Sequence, residues 1–152
     1  MTFTRNDLNH TLLVKQDELA STRKRRFVDA AGKTLGRLAV EISKKLNGKH
    51  KASYTDFWDA GDFVIVVNTA QVVVTGNKAL EKMYYKHSGF KGHLKEINFK
   101  DLLNKNPNEL MRLAVKGMIA KNKLREPRLK RLKLFATPEH NYKVATQELT
   151  IN

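Results

Sequence analysis

Apolar positions along this chain change their period from segment to segment, and each change marks an element. Phe27 to Ala30 is a short apolar run that predicts a strand. From Leu35 the apolar residues recur at Leu38, Ala39, Ile42 and Leu46, the spacing of one helix face. Thr34 stands where such a helix is capped. Asn47-Gly48 ends it, because glycine takes the left-handed conformation without a Cβ penalty. Glu41 lies at helical spacing to pair with Arg37 or Lys45. The run DFVIVVN, Asp62 to Asn68, is apolar on both alternating faces, as in a central strand of a parallel sheet.

Further on, VVVTGN predicts another short strand ending in a turn, and YYKHSGFKGHLKE an irregular segment mixing aromatics, glycines and lysines. Asn106-Pro107 opens a helix whose apolar face is Leu110, Leu113, Ala114, Val115 and Met118, interrupted late by Gly117. LKLFA, Leu132 to Ala136, predicts the last strand. Helices alternating with buried strands give the α/β class with a small, mostly parallel sheet and basic loops. The pattern sets a 26–141 domain between a polar 1–25 arm, expected to order only on a partner, and a polar 142–152 tail.

Charge adds the partner. Lysine and arginine number 29 against 15 acids, a formal net charge of +14. A small domain this basic repels itself unless a polyanion neutralises it. The excess is clustered in three runs. Arg23, Lys24, Arg25 and Arg26 are consecutive, and Lys78, Lys82, Lys86, Lys91 and Lys95 recur every four or five residues. The densest run holds Lys121, Lys123, Arg125, Arg128, Lys130, Arg131 and Lys133 against the single acid Glu126. Nucleic acid is the first partner this favours. An anionic membrane fits less well, for want of a basic helix with a broad leucine and aromatic face. No apolar run is long enough for a membrane helix.

Candidate chemistry narrows the picture by failing. Gly32-Lys33-Thr34 between a strand and a helix has the setting of a phosphate-gripping loop, so a nucleotide-binding enzyme is the alternative function. That loop needs an earlier glycine five residues before Gly32, where Phe27 stands. The chain has no cysteine, and His10, His50, His87, His93 and His140 show no ligand spacing, so no metal or other cofactor is expected. Asp56, Asp59 and Asp62 lack the further acids of a calcium loop and are expected in turns or caps. No serine sits in a nucleophile elbow, and no catalytic residue is assigned.

Gly76 to Lys95 carries a more specific signal. Tyr84, Tyr85, His87 and Phe90 offer flat faces for unpaired bases, the lysines between them reach phosphates, and the glycines let a backbone approach. Lys33 and Arg37 are left to meet phosphates of an RNA.

Taken in order, VDAAGKTLGRLA, GKHKASYT, AGDFVIVVN, VTGNK, YYKHSG, VKGMI and EHN resemble the large-subunit ribosomal protein L-thirteen family over roughly Arg26 to Asn141. The resemblance implies a three-layer α/β/α fold around a four-stranded, mostly parallel sheet. It implies a structural constituent of the large ribosomal subunit that binds ribosomal RNA, joins early in assembly and has no catalysis. Neighbouring ribosomal proteins are implied partners; no small-molecule substrate and no homo-oligomer are expected. The setting is a cytoplasmic ribosome, or an organellar one. With the basic runs, the matched blocks make Arg23, Lys24, Arg25, Lys33, Arg37, Lys49, Lys51, Asn77, Lys78, Tyr84, Tyr85, Lys86, His87, Ser88 and Lys91 the candidate RNA contacts, continued by Lys116, Lys121, Lys123, Arg125, Arg128, Lys130, Arg131, Lys133 and His140. Neutralising Lys130, Arg131 and Lys133 together is expected to leave the isolated fold intact.

Overall fold

The computed structural model describes residues 16–142. In chain order the elements are α1 (Gln16–Ser21), β1 (Arg25–Asp29), α2 (Leu35–Asn47), β2 (Phe63–Val67), α3 (Lys78–Glu81), β3 (Met83–His87), β4 (Leu94–Asn98), α4 (Phe99–Lys105), α5 (Pro107–Met118), α6 (Arg125–Lys130) and β5 (Leu132–Leu134). A 3-10 turn, Thr69–Gln71, follows β2. β1, β2 and β5 form a parallel sheet with β2 in the centre, and β3 and β4 form a separate antiparallel hairpin.

β2 is central because its residues are apolar at every position: Val64, Ile65, Val66 and Val67 are all buried. Val64 and Val66 join Val28 and Leu132 in one core with Leu35, Leu38, Ala39, Ile42 and Leu46 of α2 and Leu110, Met111 and Val115 of α5. Ile65 lies beside Phe27 in register, and the Phe27 ring sits 5.4 Å from His140. α1 places Leu19 in full burial, and β1 begins at Arg25, inside the segment assigned to the arm. Residues 1–15 and the 143–152 tail lie outside the described residues.

Several local expectations shift. VVVTGN forms no strand; only Val73 pairs, in an isolated parallel bridge to Thr34. Thr34, at the cap of α2, makes no side-chain capping bond, and beside it the bridge satisfies the first helical N–H, that of Leu35, which donates to the Val73 carbonyl at 2.9 Å. Glu41 pairs with Lys44 at 2.8 Å instead of Arg37 or Lys45. In α5 the buried stripe includes Met111, while Leu113 and Met118 are exposed. The segment read as irregular is the β3–β4 hairpin, whose lysines and exposed aromatics hide a strand alternation that packs only Tyr84 and Ile97 against the core.

Two glycines set the end of α2. Gly48 takes φ 87° and donates its N–H to the carbonyls of Lys44 and Lys45. Gly61 passes so close to the helix end that a Cβ would lie 1.7 Å from the Leu46 carbonyl oxygen and 2.8 Å from Arg131 Nη2. This close passage brings Asp59 and Asp62 under the basic segments.

Candidate nucleic-acid interface

Two buried carboxylates gather cations from three separate segments of the chain. Asp62, fully buried, accepts hydrogen bonds from the Lys24 N–H at 3.1 Å and Arg26 Nε at 3.2 Å. It also lies 2.6 Å from Lys51 Nζ and 2.9 Å from His50 Nε2. Asp59 accepts both terminal nitrogens of Arg131, the Nη2 bond at 2.6 Å, while Arg23 stands 3.6 Å and Arg128 3.5 Å away. Arg131 Nη2 also donates to the Leu46 carbonyl at 3.1 Å. The basic run at 23–26, the loop after α2 and α6 are thus fastened to one another through two acids.

The electrostatics follow from that packing. Burial pushes the Asp62 carboxyl up, but hydrogen bonds from Lys51, the Lys24 N–H and Arg26 more than offset it and hold the group below the usual carboxylate range. Asp59 is likewise raised by burial and drawn below its ordinary value by Arg131, with Arg23 and Arg128 adding charge. Burial lowers His50, against the pull of Asp62.

These contacts correct two expectations. Asp59 and Asp62 are not turn or capping residues; they are the anchors of an ion cluster, a role that spacing in the chain does not signal. Arg131 and Arg128 are 6% and 3% exposed, so Arg131 belongs to the fold and its neutralisation is not structurally silent. Lys130 and Lys133 on either side are exposed. His140 is also held in the fold, between Phe27 and Phe135 at 5.4 and 6.0 Å.

The hairpin presents the opposite situation, an exposed surface with little to hold it. Lys86 and Lys95 are directly opposite in register and both exposed. Like charges so placed repel. Tyr85, Phe90 and Leu94 are exposed as well, at 63%, 70% and 52%. Tyr84 is half-buried, with Lys82 Nζ 5.4 Å from its ring centroid. The turn bearing Ser88 and Lys91 is exposed, and His87 Nδ1 accepts the Gly89 N–H at 3.0 Å.

Between the hairpin and the core lies a groove of about 660 Å³ lined by Arg37, Lys78, Lys82, Tyr84, Leu113 and Met118, among others. Its floor is apolar and its charged lining is entirely cationic. A second cavity, about 580 Å³, opens on the other side of Gly117 and Met118 and is lined by Asn47, Lys49, Tyr54, Asp56, Lys121, Asn122 and Arg128. Exposed Lys116 and half-buried Arg125 flank α5's end, where Arg125 donates to the Lys116 carbonyl. Lys24, Arg25 and Lys123 are exposed, and Asn77 is bonded to Glu81 at 2.9 Å.

The Gly32-Lys33-Thr34 turn has no phosphate cradle. The Gly32 N–H donates to the Gln71 carbonyl at 3.1 Å, the Lys33 N–H to Ala30 at 3.1 Å, and the Leu35 N–H to Val73. These three donors, of the kind that a phosphate loop turns inward, are here consumed by the fold. Among the described residues no group of three histidines or acids is placed to hold a metal, and no helix is long and apolar enough to cross a membrane.

The chain matches the model of the family described as Ribosomal protein L13 over residues 23–141. It is 55% identical to the large ribosomal subunit protein uL13 of Acinetobacter baumannii (strain AYE) over 113 residues, covering 74% of this chain and 80% of that one. It is 53% identical to the protein of the same name from Vibrio parahaemolyticus over 115 residues, covering 76% and 81%. The matched span holds both buried carboxylates, the hairpin and both cavities, and on it the chain belongs to the ribosomal protein L13 family.

Proposed function

We propose that this protein is a structural constituent of the large ribosomal subunit that binds ribosomal RNA and supports early assembly. Membership of the L13 family carries the reading, and the cationic grooves and exposed lysine-rich hairpin support it. Exposed lysines neutralise phosphates, while Tyr85, His87 and Phe90 offer faces to unpaired bases. Arg131 and His140 act from beneath, by holding the surface in shape. Neighbouring ribosomal proteins complete the site, and the protein works without catalysis, cofactor or self-association, on a cytoplasmic ribosome. On the same reading the Thr34–Val73 bridge is the start of a fourth parallel strand in a three-layer fold.

Sucrose-gradient sedimentation of a cell extract tests this. The chain is expected with large subunits, retained at moderate salt; sedimentation with free protein alone would overturn the reading. Binding to large-subunit RNA should weaken about a thousandfold between 50 and 200 mM salt if 6 to 10 phosphates are contacted.

A further inference from the structure

The second cavity has at its wall a buried cation with too little to bind. Arg128 is 3% exposed, and its Nε and Nη2 have no hydrogen-bond partner among the described residues. The nearest carboxylate, Asp59, lies 3.5 Å from Nε but gives two of its acceptor positions to Arg131. Arg23, Arg128 and Arg131 therefore share one carboxylate, and Arg128, the farther of the two buried arginines from it, is left with little of that carboxylate's charge. A buried guanidinium in that state is costly, and the cost falls when an anion supplies the missing acceptors.

The rest of the lining has the chemistry to receive one. Lys49 and Lys121 are exposed at the cavity's edge, so a ligand entering it meets two ammonium groups before reaching Arg128. Asn47, the last residue of α2, is buried, with an Oδ1 that has no donor among the described residues. An anion that also carries a hydroxyl or amino donor would satisfy it. One acid, Asp56, lines the cavity too; it accepts the Tyr54 hydroxyl, so part of its acceptor capacity is already used.

We infer that the cavity between Lys49, Lys121 and Arg128 is a binding site for a single phosphate of an RNA chain, with the adjoining nucleotide's ribose hydroxyl or base amino group donating to Asn47. This rests on the RNA-binding reading above and adds to it one place where a particular phosphate is held by a buried arginine. A sugar-phosphate fits the site because the cavity pairs three cations with an orphaned acceptor. An anion without a hydroxyl or amino group, such as chloride, leaves that acceptor unmet.

The test is the affinity of the full chain for a transcript of large-subunit ribosomal RNA across a salt series, for wild type, Arg128→Met, Lys121→Ala and the double variant. Methionine keeps the stem's volume and removes the charge; Lys121→Ala changes an exposed residue and leaves the fold alone. Each single variant is expected to weaken binding about tenfold and to lower the salt slope by about 1, with the double variant little worse than either. A steep wild-type slope with unchanged slopes in the variants would overturn the phosphate site while leaving RNA binding in place. A flat wild-type response would overturn the RNA-binding reading and the site with it. If Arg128→Met gives no cooperative thermal melt, Lys121→Ala together with Asn47→Ala decides the matter by the same readout.

Discussion

Arg131 and Asp59, 72 residues apart in sequence, meet in a two-point ion pair that is buried on both sides. The guanidinium also donates to the last turn of α2 through the Leu46 carbonyl, so one side chain ties together α2, the loop before β2 and the residue entering β5. Removing the carboxylate strands three arginines. Asp59→Asn is therefore expected to cost about 3–5 kcal/mol of folding stability, measured by urea unfolding. A loss under about 1 kcal/mol would show that the pair is balanced by solvent and not by the fold.

Acid should weaken the fold through the same cluster. Asp59 and Asp62 are held below their ordinary values, so their contribution is present above the unfolded carboxylate pKa and is lost as pH falls through the folded one. His50 is also lowered, so the unfolded chain takes up its proton first and stability falls as pH drops below the imidazole's ordinary value. The three signs agree. The melting temperature is expected to decline from near pH 6.5 downward and more steeply below pH 4, and Asp62→Asn should flatten the lower part of that curve.

Gly61 is irreplaceable for a steric reason. Its Cβ would overlap the Leu46 carbonyl, which is backbone and cannot rotate away. Gly61→Ala should cost about 3 kcal/mol or more, whereas Gly117→Ala, where a Cβ meets nothing within 4 Å, should be tolerated. Thermal melts of the two variants compare them directly.

Lys86 and Lys95 face each other across the hairpin. Replacing both by alanine should leave the isolated protein's stability unchanged or raised by a few tenths of a kcal/mol, because a like-charge pair is removed. The same variant should bind large-subunit RNA more weakly, with a salt slope lower by about 2. Unchanged RNA affinity would place the hairpin outside the interface.

The turn at Gly32 should not hold a nucleotide. Wild type and Lys33→Ala are expected to show the same absence of ATP and GTP binding at millimolar concentration by calorimetry, since the N–H groups of Gly32, Lys33 and Leu35 already have carbonyl partners.

Much of the frame was legible because local patterns and tertiary demands coincide. α2 begins and ends where Thr34 and Gly48 place it, α5 opens on Asn106 accepting the Glu109 N–H at 3.1 Å, and β2 is buried on both faces as its apolar run requires. The hairpin was not legible, because a strand pair that buries only Tyr84 and Ile97 carries almost no alternation. α6 was hidden for a related reason: a six-residue helix rich in Arg and Lys, with Pro127 inside it, reads as a charge run.

The apolar pattern of the sequence determined the class of fold and the order of its main elements, and charge count with family motifs the expectation of an RNA partner. Which cations face outward was decided only by tertiary structure. Lys130 and Arg131 are adjacent in the chain, yet one is exposed and the other is locked onto Asp59. The reason is physical: a buried carboxylate selects its partners by distance in space, and the sheet and the close passage of Gly61 bring Asp59 to Arg131 across 72 residues.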